Sequence, residues 1–205
     1  MELLSQHLSQ AFLKPGTRVI MLRHAESVCN LAGTLAGWTD SKLSDYGKRQ
    51  ANLLYQGLHP FYSQFKGIYS SDLKRCIDTT LFATLYSYPF RIDERLRECY
   101  FGDHEGEHFD TMPELQATVN SPTYQAPNGE SWVMVKNRAV KFFKEKLAED
   151  GVYLCVSHGG LICTLTIPLG HTDAVSNASI VGIELKNGVP EKVEFSWTCP
   201  EILTR

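Results

Sequence analysis

The chain predicts an α/β fold built on a mostly parallel sheet with helices on both faces. Three observations carry this. β-branched, apolar runs alternate with longer segments whose apolar residues recur at helical spacing along most of the 205 residues. The runs Thr17–Leu22 and Gly151–Ser157 read as buried strands. Finally, the last two strand candidates flank Asn187-Gly188, a tight hairpin signal that closes the sheet with a β pair.

In chain order, Leu3, Leu4, Leu8, Ala11 and Phe12 place a helix over 2–13, which Pro15-Gly16 ends. Its polar face lacks Lys and Arg before Lys14, so packing on the domain's own surface is expected rather than membrane contact. A strand follows over Thr17–Leu22, then a helix over Asp45–Leu58, a strand over Lys66–Ser70 and a helix over Leu73–Tyr86. Phe90–Ile92 is a third short strand candidate. Residues 98–130, rich in Gly, Pro, Asp, Glu and His, form an irregular excursion. Trp132, Val135, Ala139, Phe142, Phe143 and Leu147 mark a helix over 131–149, stopped at Gly151. A strand over Gly151–Ser157, a helix over Gly159–Leu169 and strands over Ser179–Leu185 and Pro190–Ser196 complete the order. Residues 1–16 are expected as an N-terminal helical extension to a domain over 17–205.

Composition narrows the function classes. Twenty Lys and Arg against 23 Asp and Glu leave a formal charge of -3, without the basic surplus that nucleic acid or an anionic membrane surface attracts. No apolar run approaches the length that spans a bilayer. The N-terminus lacks the basic and apolar regions of a targeting signal, so a cytoplasmic protein is expected. Six cysteines at irregular spacing, with no Cys-x-x-Cys pair, point to thiols in a reducing compartment rather than a zinc cluster.

The chemistry lies just past the strands, because ligands of such sheets bind beyond the strands' carboxyl ends. The first strand runs into Arg23-His24, the second into Ser70-Ser71-Asp72 with Arg75 one turn into the next helix, and the last long strand into Ser157-His158-Gly159-Gly160. Two histidines and two arginines would therefore gather at one edge, with helix N-termini pointing the same way. Arginine forks and helix N-termini hold phosphate oxygens, and a neutral imidazole nitrogen attacks phosphorus. Any one of these signals alone fits a structural residue; their joint placement after three strands is what points to a phosphate site.

These residues resemble the histidine phosphatase superfamily, phosphoglycerate mutase-like branch, over roughly 17–185. The likeness runs through Arg23-His24-Ala25-Glu26-Ser27-Val28-Cys29-Asn30, Gly37-Trp38-Thr39-Asp40, Leu43-Ser44 with Gln50-Ala51, Ser70-Ser71-Asp72-Leu73-Lys74-Arg75, Leu96-Arg97-Glu98 with Phe101-Gly102, Gly129-Glu130-Ser131 and Ser157-His158-Gly159, in order. The resemblance implies a three-layer fold over residues 17–205 and a phosphomonoesterase that needs neither metal nor cofactor. It implies that His24 becomes phosphorylated and that Arg23, Arg75, His158 and Asn30 hold the phosphate. Ser27, Gly37 and Gly159 would lie near the substrate, and Glu98 would serve as general acid and base. Bound phosphate would favour the acid form of Glu98; an ion pair with Arg95 or Arg97 is the structural alternative for that carboxylate.

The resemblance also implies a small phosphorylated substrate as the partner, with monomer or homodimer open. Mutases of the family carry a longer insertion after the Glu motif. Here the excursion is short and holds no Arg or Lys from 98 to 130, which favours hydrolysis. A bisphosphoglycerate-dependent phosphoglycerate mutase and a weakly catalytic phospho-ligand binding module are the alternatives. Ala25 departs from the family's glycine and is harmless only if the position avoids a left-handed backbone. His104 and His108 are expected in solvent. Cys29 falls near the pocket mouth. Tyr100, Phe101, Phe109, Met112 and Tyr124 either rim the pocket or pack the excursion.

Overall fold

The structure, a computed structural model, describes residues 1–112, 121 and 123–202. Six strands form one mixed sheet in the order β3-β2-β4-β1-β5-β6. They are β1 (Thr17–Arg23), β2 (Gly67–Ser70), β3 (Arg91–Ile92), β4 (Gly151–Ser157), β5 (Ile180–Lys186) and β6 (Val189–Trp197). From β3 to β1 all pairings are parallel; β5 and β6 join antiparallel.

The pleat of β1 explains the three layers. Val19 and Met21 point into a core shared with α5 (Trp132–Lys146) and α6 (Gly159–Thr166). Ile20 and Leu22 point the other way, to α1 (Glu2–Leu13), α3 (Asp45–Leu58) and α4 (Lys74–Ala83). All four are fully buried, each contributing about 2 kcal/mol. α1 lays Leu4, Leu8 and Ala11 into the second core, and His7 stacks on Phe195 of β6.

Several boundaries differ from the sequence reading. The second large helix stops at Ala83 rather than Tyr86. The Thr84 hydroxyl bonds back to the Thr80 carbonyl, and Leu85 and Tyr86 take left-handed φ of 46° and 60° that turn the chain toward β3. The last helix becomes 3-10 at Ile167–Leu169, because Pro168 has no N–H to continue the α-helix. A short helix, α2 (Val28–Ala32), was not expected. It starts on Ser27, whose side chain accepts the Asn30 N–H while the Asn30 side chain accepts the Ser27 N–H. The excursion holds short 3-10 turns at Gly102–His104 and Phe109–Thr111; within it, 113–120 and 122 lie outside the described residues. All six cysteines are free thiols, three of them buried. No helix among the described residues is long and apolar enough to cross a membrane.

Candidate active site

Arg23 ends β1, and His24 extends it by donating its N–H to the Ser157 carbonyl at 2.9 Å. Ser71 donates its N–H to the Val156 carbonyl at the end of the β2–β4 ladder, on the other side of β4, and His158 is the N-cap of α6. The carboxyl ends of β1, β2 and β4 are neighbours, so residues far apart in sequence meet here. The His24 and His158 rings lie edge to face, centroids 5.1 Å apart.

His24 is 3% exposed. Its Nδ1 lies 2.8 Å from the Ala25 carbonyl. A carbonyl only accepts, so Nδ1 carries the proton and Nε2 keeps its lone pair. Burial, then the charges of Arg75 and Arg23, push His24 well below the usual imidazole range. His158 is fully buried and pushed down likewise by burial and then by Arg75; its Nε2 faces the Ser71 hydroxyl at 3.0 Å and the Cys76 thiol at 3.3 Å.

The two guanidiniums have carbonyl partners and no carboxylate. Arg75, 2% exposed, donates to Gly37 O at 2.6 Å and Thr39 O at 3.0 Å. Arg23 donates through Nη1 to Val175 O at 2.6 Å, while its buried Nε has no partner. Among the described residues neither forms an ion pair. Buried charge without an ion pair is costly, and an anion in the cavity would offset that cost.

Glu98 reaches the N-terminus of α6. Its Oε2 accepts Gly160 N–H at 2.9 Å, and its Oε1 accepts Leu161 and Cys99 N–H at 3.1 and 2.9 Å. The ion-pair alternative does not occur: Arg95 pairs with Asp93 and Glu145, and Arg97 with Asp72. The Glu98 main chain is fixed by Trp38 Nε1 and Arg138 Nη2, which both donate to its carbonyl.

Arg23, His24, Arg75 and Glu98 line one cavity of about 820 Å³, together with Asn30, Gly37 and Gly159, whereas His158, expected to hold the phosphate, is fully buried against the His24 ring and absent from the cavity wall. The Asn30 Oδ1 already receives Ser27 and Asn177 donors, which leaves its NH2 for the cavity. Gly159 packs on Arg23; a Cβ there would stand 3.2 Å from the guanidinium. Gly37 sits at φ +48°, and a Cβ would collide with the Glu105 carboxylate.

Ser27 requires a correction. It is fully buried and absent from the cavity wall, because its hydroxyl caps α2 instead. Ala25 is not among the residues with positive φ; it is buried and donates its N–H to Thr79 Oγ1, so the extra methyl is accommodated. His104, His108 and Cys29 do not line the cavity. Phe101 and Phe109 do, whereas Met112 and Tyr124 are buried in the core beneath the excursion. Tyr100 stacks at a tilt on Trp38.

Five residues of the site had been given no role there by the sequence reading. Glu105 accepts Trp38 N–H at 2.7 Å, Thr39 N–H at 2.9 Å and Thr39 Oγ1 at 2.6 Å, while Asp40 caps α4 through Lys74 N–H. Together they hold the 37–40 loop whose carbonyls aim Arg75. Gly160 brings its amide to Glu98, and a Cβ on it would come 2.5 Å from that carboxylate. Trp132 and Lys136 line the cavity from α5. The Glu105-Gly106 and Gly159-Gly160 pairs were the available signals for Glu105 and Gly160; nothing local marks Trp132 or Lys136.

An α/β sheet whose carboxyl edge joins two neutral imidazoles to two unbalanced guanidiniums defines an enzyme that handles phosphorylated compounds. The chain belongs to the histidine phosphatase superfamily (branch 1), whose family model matches residues 19–198. It is 30% identical over 191 residues to a 2,3-bisphosphoglycerate-dependent phosphoglycerate mutase of Cytophaga hutchinsonii, covering 87% of each chain. A putative phosphoserine phosphatase 2 of Hydrogenobacter thermophilus is 33% identical over 161 residues, covering 73% of this chain and 78% of that protein. Among solved structures, a mycobacterial glucosyl-3-phosphoglycerate phosphatase in complex with VO3 superposes with a TM-score of 0.74 at 28% identity, over 82% of this chain and 93% of that one. The enzyme is therefore a histidine-phosphatase-type hydrolase or mutase of small phosphometabolites. Among the described residues no group of three or more His, Cys, Asp or Glu could hold a metal ion.

Proposed function

We propose that the enzyme hydrolyses phosphomonoesters, with the phosphoryl group carried on His24 Nε2. The observation that carries this is the pair of guanidiniums without an ion pair among the described residues, Arg75 buried and Arg23 mostly so, beside a neutral imidazole whose tautomer is fixed by the Ala25 carbonyl. The phosphoryl oxygens take the place of the missing counterion on Arg23 and Arg75, and the charge of the transition state meets donors already in position.

Nε2 attacks phosphorus, the P–N bond forms and the ester P–O bond breaks. The departing alkoxide takes a proton from the Glu98 carboxyl group. Oε2 accepts a single amide bond where Oε1 accepts two, so Oε2 is the oxygen with room for the proton. Glu98 then takes a proton from water, whose oxygen attacks phosphorus. The P–N bond breaks and inorganic phosphate leaves with Nε2 restored.

The Cytophaga relative favours mutase activity as a second reading. The absence of Lys and Arg over 98–130 favours hydrolysis, since a mobile phosphorylated intermediate finds no clamp in that stretch. Steady-state release of inorganic phosphate without bisphosphoglycerate, lost in His24→Ala, is the expected result. Phosphate exchange that requires bisphosphoglycerate, with no net release, establishes the mutase instead.

A further inference from the structure

We propose that the substrate is the phosphomonoester of a bulky, apolar-bodied alcohol bearing a distal anionic group, and that Lys136 selects for that group. This rests on the phosphomonoesterase reading and names the class of alcohol. The cavity, at about 820 Å³, lies in the range of roughly 300–1,000 Å³ that encloses drug-sized molecules. Its phosphate-handling groups, Arg23, His24, Arg75 and Glu98, are held together at the carboxyl edge of the sheet by the contacts described above. The remaining wall is largely apolar and comes from separate segments: Leu35, Phe101, Phe109, Trp132, Ile167 and Val175.

Part of that wall stays open to solvent, with Phe109 at 38%, Val133 at 55% and Ile167 at 46% exposure. A small hydroxy-acid phosphate leaves this surface wet, whereas an apolar body covers it and gains the transfer energy.

Lys136 supplies the second half. It follows Trp132 by four residues, so the two share a face of α5, about 6 Å apart along the axis. The Trp132 ring lies beside Gly160, where a Cβ would stand 2.9 Å from it, and so beside the Glu98 carboxylate. Lys136 is therefore one turn further from the reacting end. It is exposed, and among the described residues it has no ion pair. Among the described lining residues it is the cation outside the phosphoryl cradle. An alcohol that runs along the Trp132 wall delivers a carboxylate or second phosphate to its ammonium group.

Three esters whose primary leaving alkoxides are of similar basicity separate the two features: n-propyl phosphate, 3-phenylpropyl phosphate and 3-(4-carboxyphenyl)propyl phosphate. The expected kcat/KM rises about tenfold from propyl to phenylpropyl. It rises a further ~3-fold with the distal carboxylate, carried by KM, as an exposed ion pair allows. The ratio of carboxylated to plain phenylpropyl ester, read within each protein, falls to about one in Lys136→Met and inverts in Lys136→Glu. A ratio that survives in Lys136→Met, or equal kcat/KM for propyl and phenylpropyl esters, overturns the proposal and leaves the phosphomonoesterase reading intact. Hydrolysis of none of the three overturns the phosphomonoesterase reading itself, and the proposal with it.

Discussion

Strand β1 carries a mostly buried arginine near each end, and the two are treated oppositely. Arg18 donates through Nε to Glu194 at 2.8 Å and through Nη1 to the Lys14 and Pro15 carbonyls, with Glu184 at 3.8 Å. Its charge is balanced inside the fold. Arg23 has the Val175 carbonyl, a buried Nε without a partner and no ion pair among the described residues. Burial lowers its hold on its proton, with Glu98 and Cys163 acting against that. The chemistry of the side chain is the same at both ends; what differs is whether the protein provides the counterion. At the amino end the interaction energy serves stability. At the carboxyl end no described ion pair draws on it, which on the proposed reading leaves it to the phosphate, the trade-off expected of a binding site.

The comparison breaks most visibly at the group the unbalanced charges surround. His24→Ala is expected to lower kcat/KM by on the order of 10⁴-fold or more, with phosphohistidine absent from rapid-quench samples. Activity within tenfold of wild type would remove His24 from the reaction. Next in size, Glu98→Gln is expected to cost about 10²–10⁴-fold with alkyl phosphates and far less with p-nitrophenyl phosphate, whose leaving group needs no proton. Equal losses on both substrates would show that Glu98 positions rather than protonates.

The direct contrast uses one substitution twice. Arg23→Met is expected to reduce kcat/KM by about 10²–10³-fold while urea denaturation shows stability equal to or above wild type. Arg18→Met is expected to cost about 1–2 kcal/mol of stability, since it removes one of two cations 2.8 Å from Glu194 and leaves Lys14, with kcat/KM within about twofold. The reverse pattern would mean that the carboxyl-end charge is structural after all.

The last contrast lies in the two imidazoles. Folded His24 and His158 lie well below the ordinary histidine value of 6.5, so between those values the unfolded state binds more protons. Stability is complete above pH 6.5 and falls as the pH drops below it, by up to about 1.4 kcal/mol per pH unit for each ring. Denaturation between pH 7 and pH 5 should show a shallower fall in His158→Ala than in wild type. NMR titration should find both rings neutral at pH 6.5.

Much of the scaffold was legible because its signals are local. Thr17–Arg23 is a buried strand because β-branched and apolar residues fill both faces of the pleat. The apolar residues Val135, Ala139, Phe142 and Phe143 recur at helical spacing and form the buried face of α5. The five-residue α2 was missed because its capping box uses Asn30 where Glu or Gln is the usual signature, and because five residues hold little periodicity. Asn30 itself was legible through the Arg-His motif, whereas Ser27 in the same motif serves the helix rather than the cavity.

The sequence by itself determined the alternation of strands and helices, and through its ordered motifs the side chains that we assign to phosphate chemistry. Both are written in neighbouring residues, where periodicity, capping and turn preferences act. Only the tertiary structure decided which charges are neutralised and which are left open. Glu194 reaches Arg18 from β6, Glu98 turns to the amides of α6, and no described carboxylate forms an ion pair with Arg23 or Arg75. Electrostatic balance depends on distance and burial in space, and the partners concerned lie tens to hundreds of residues apart along the chain.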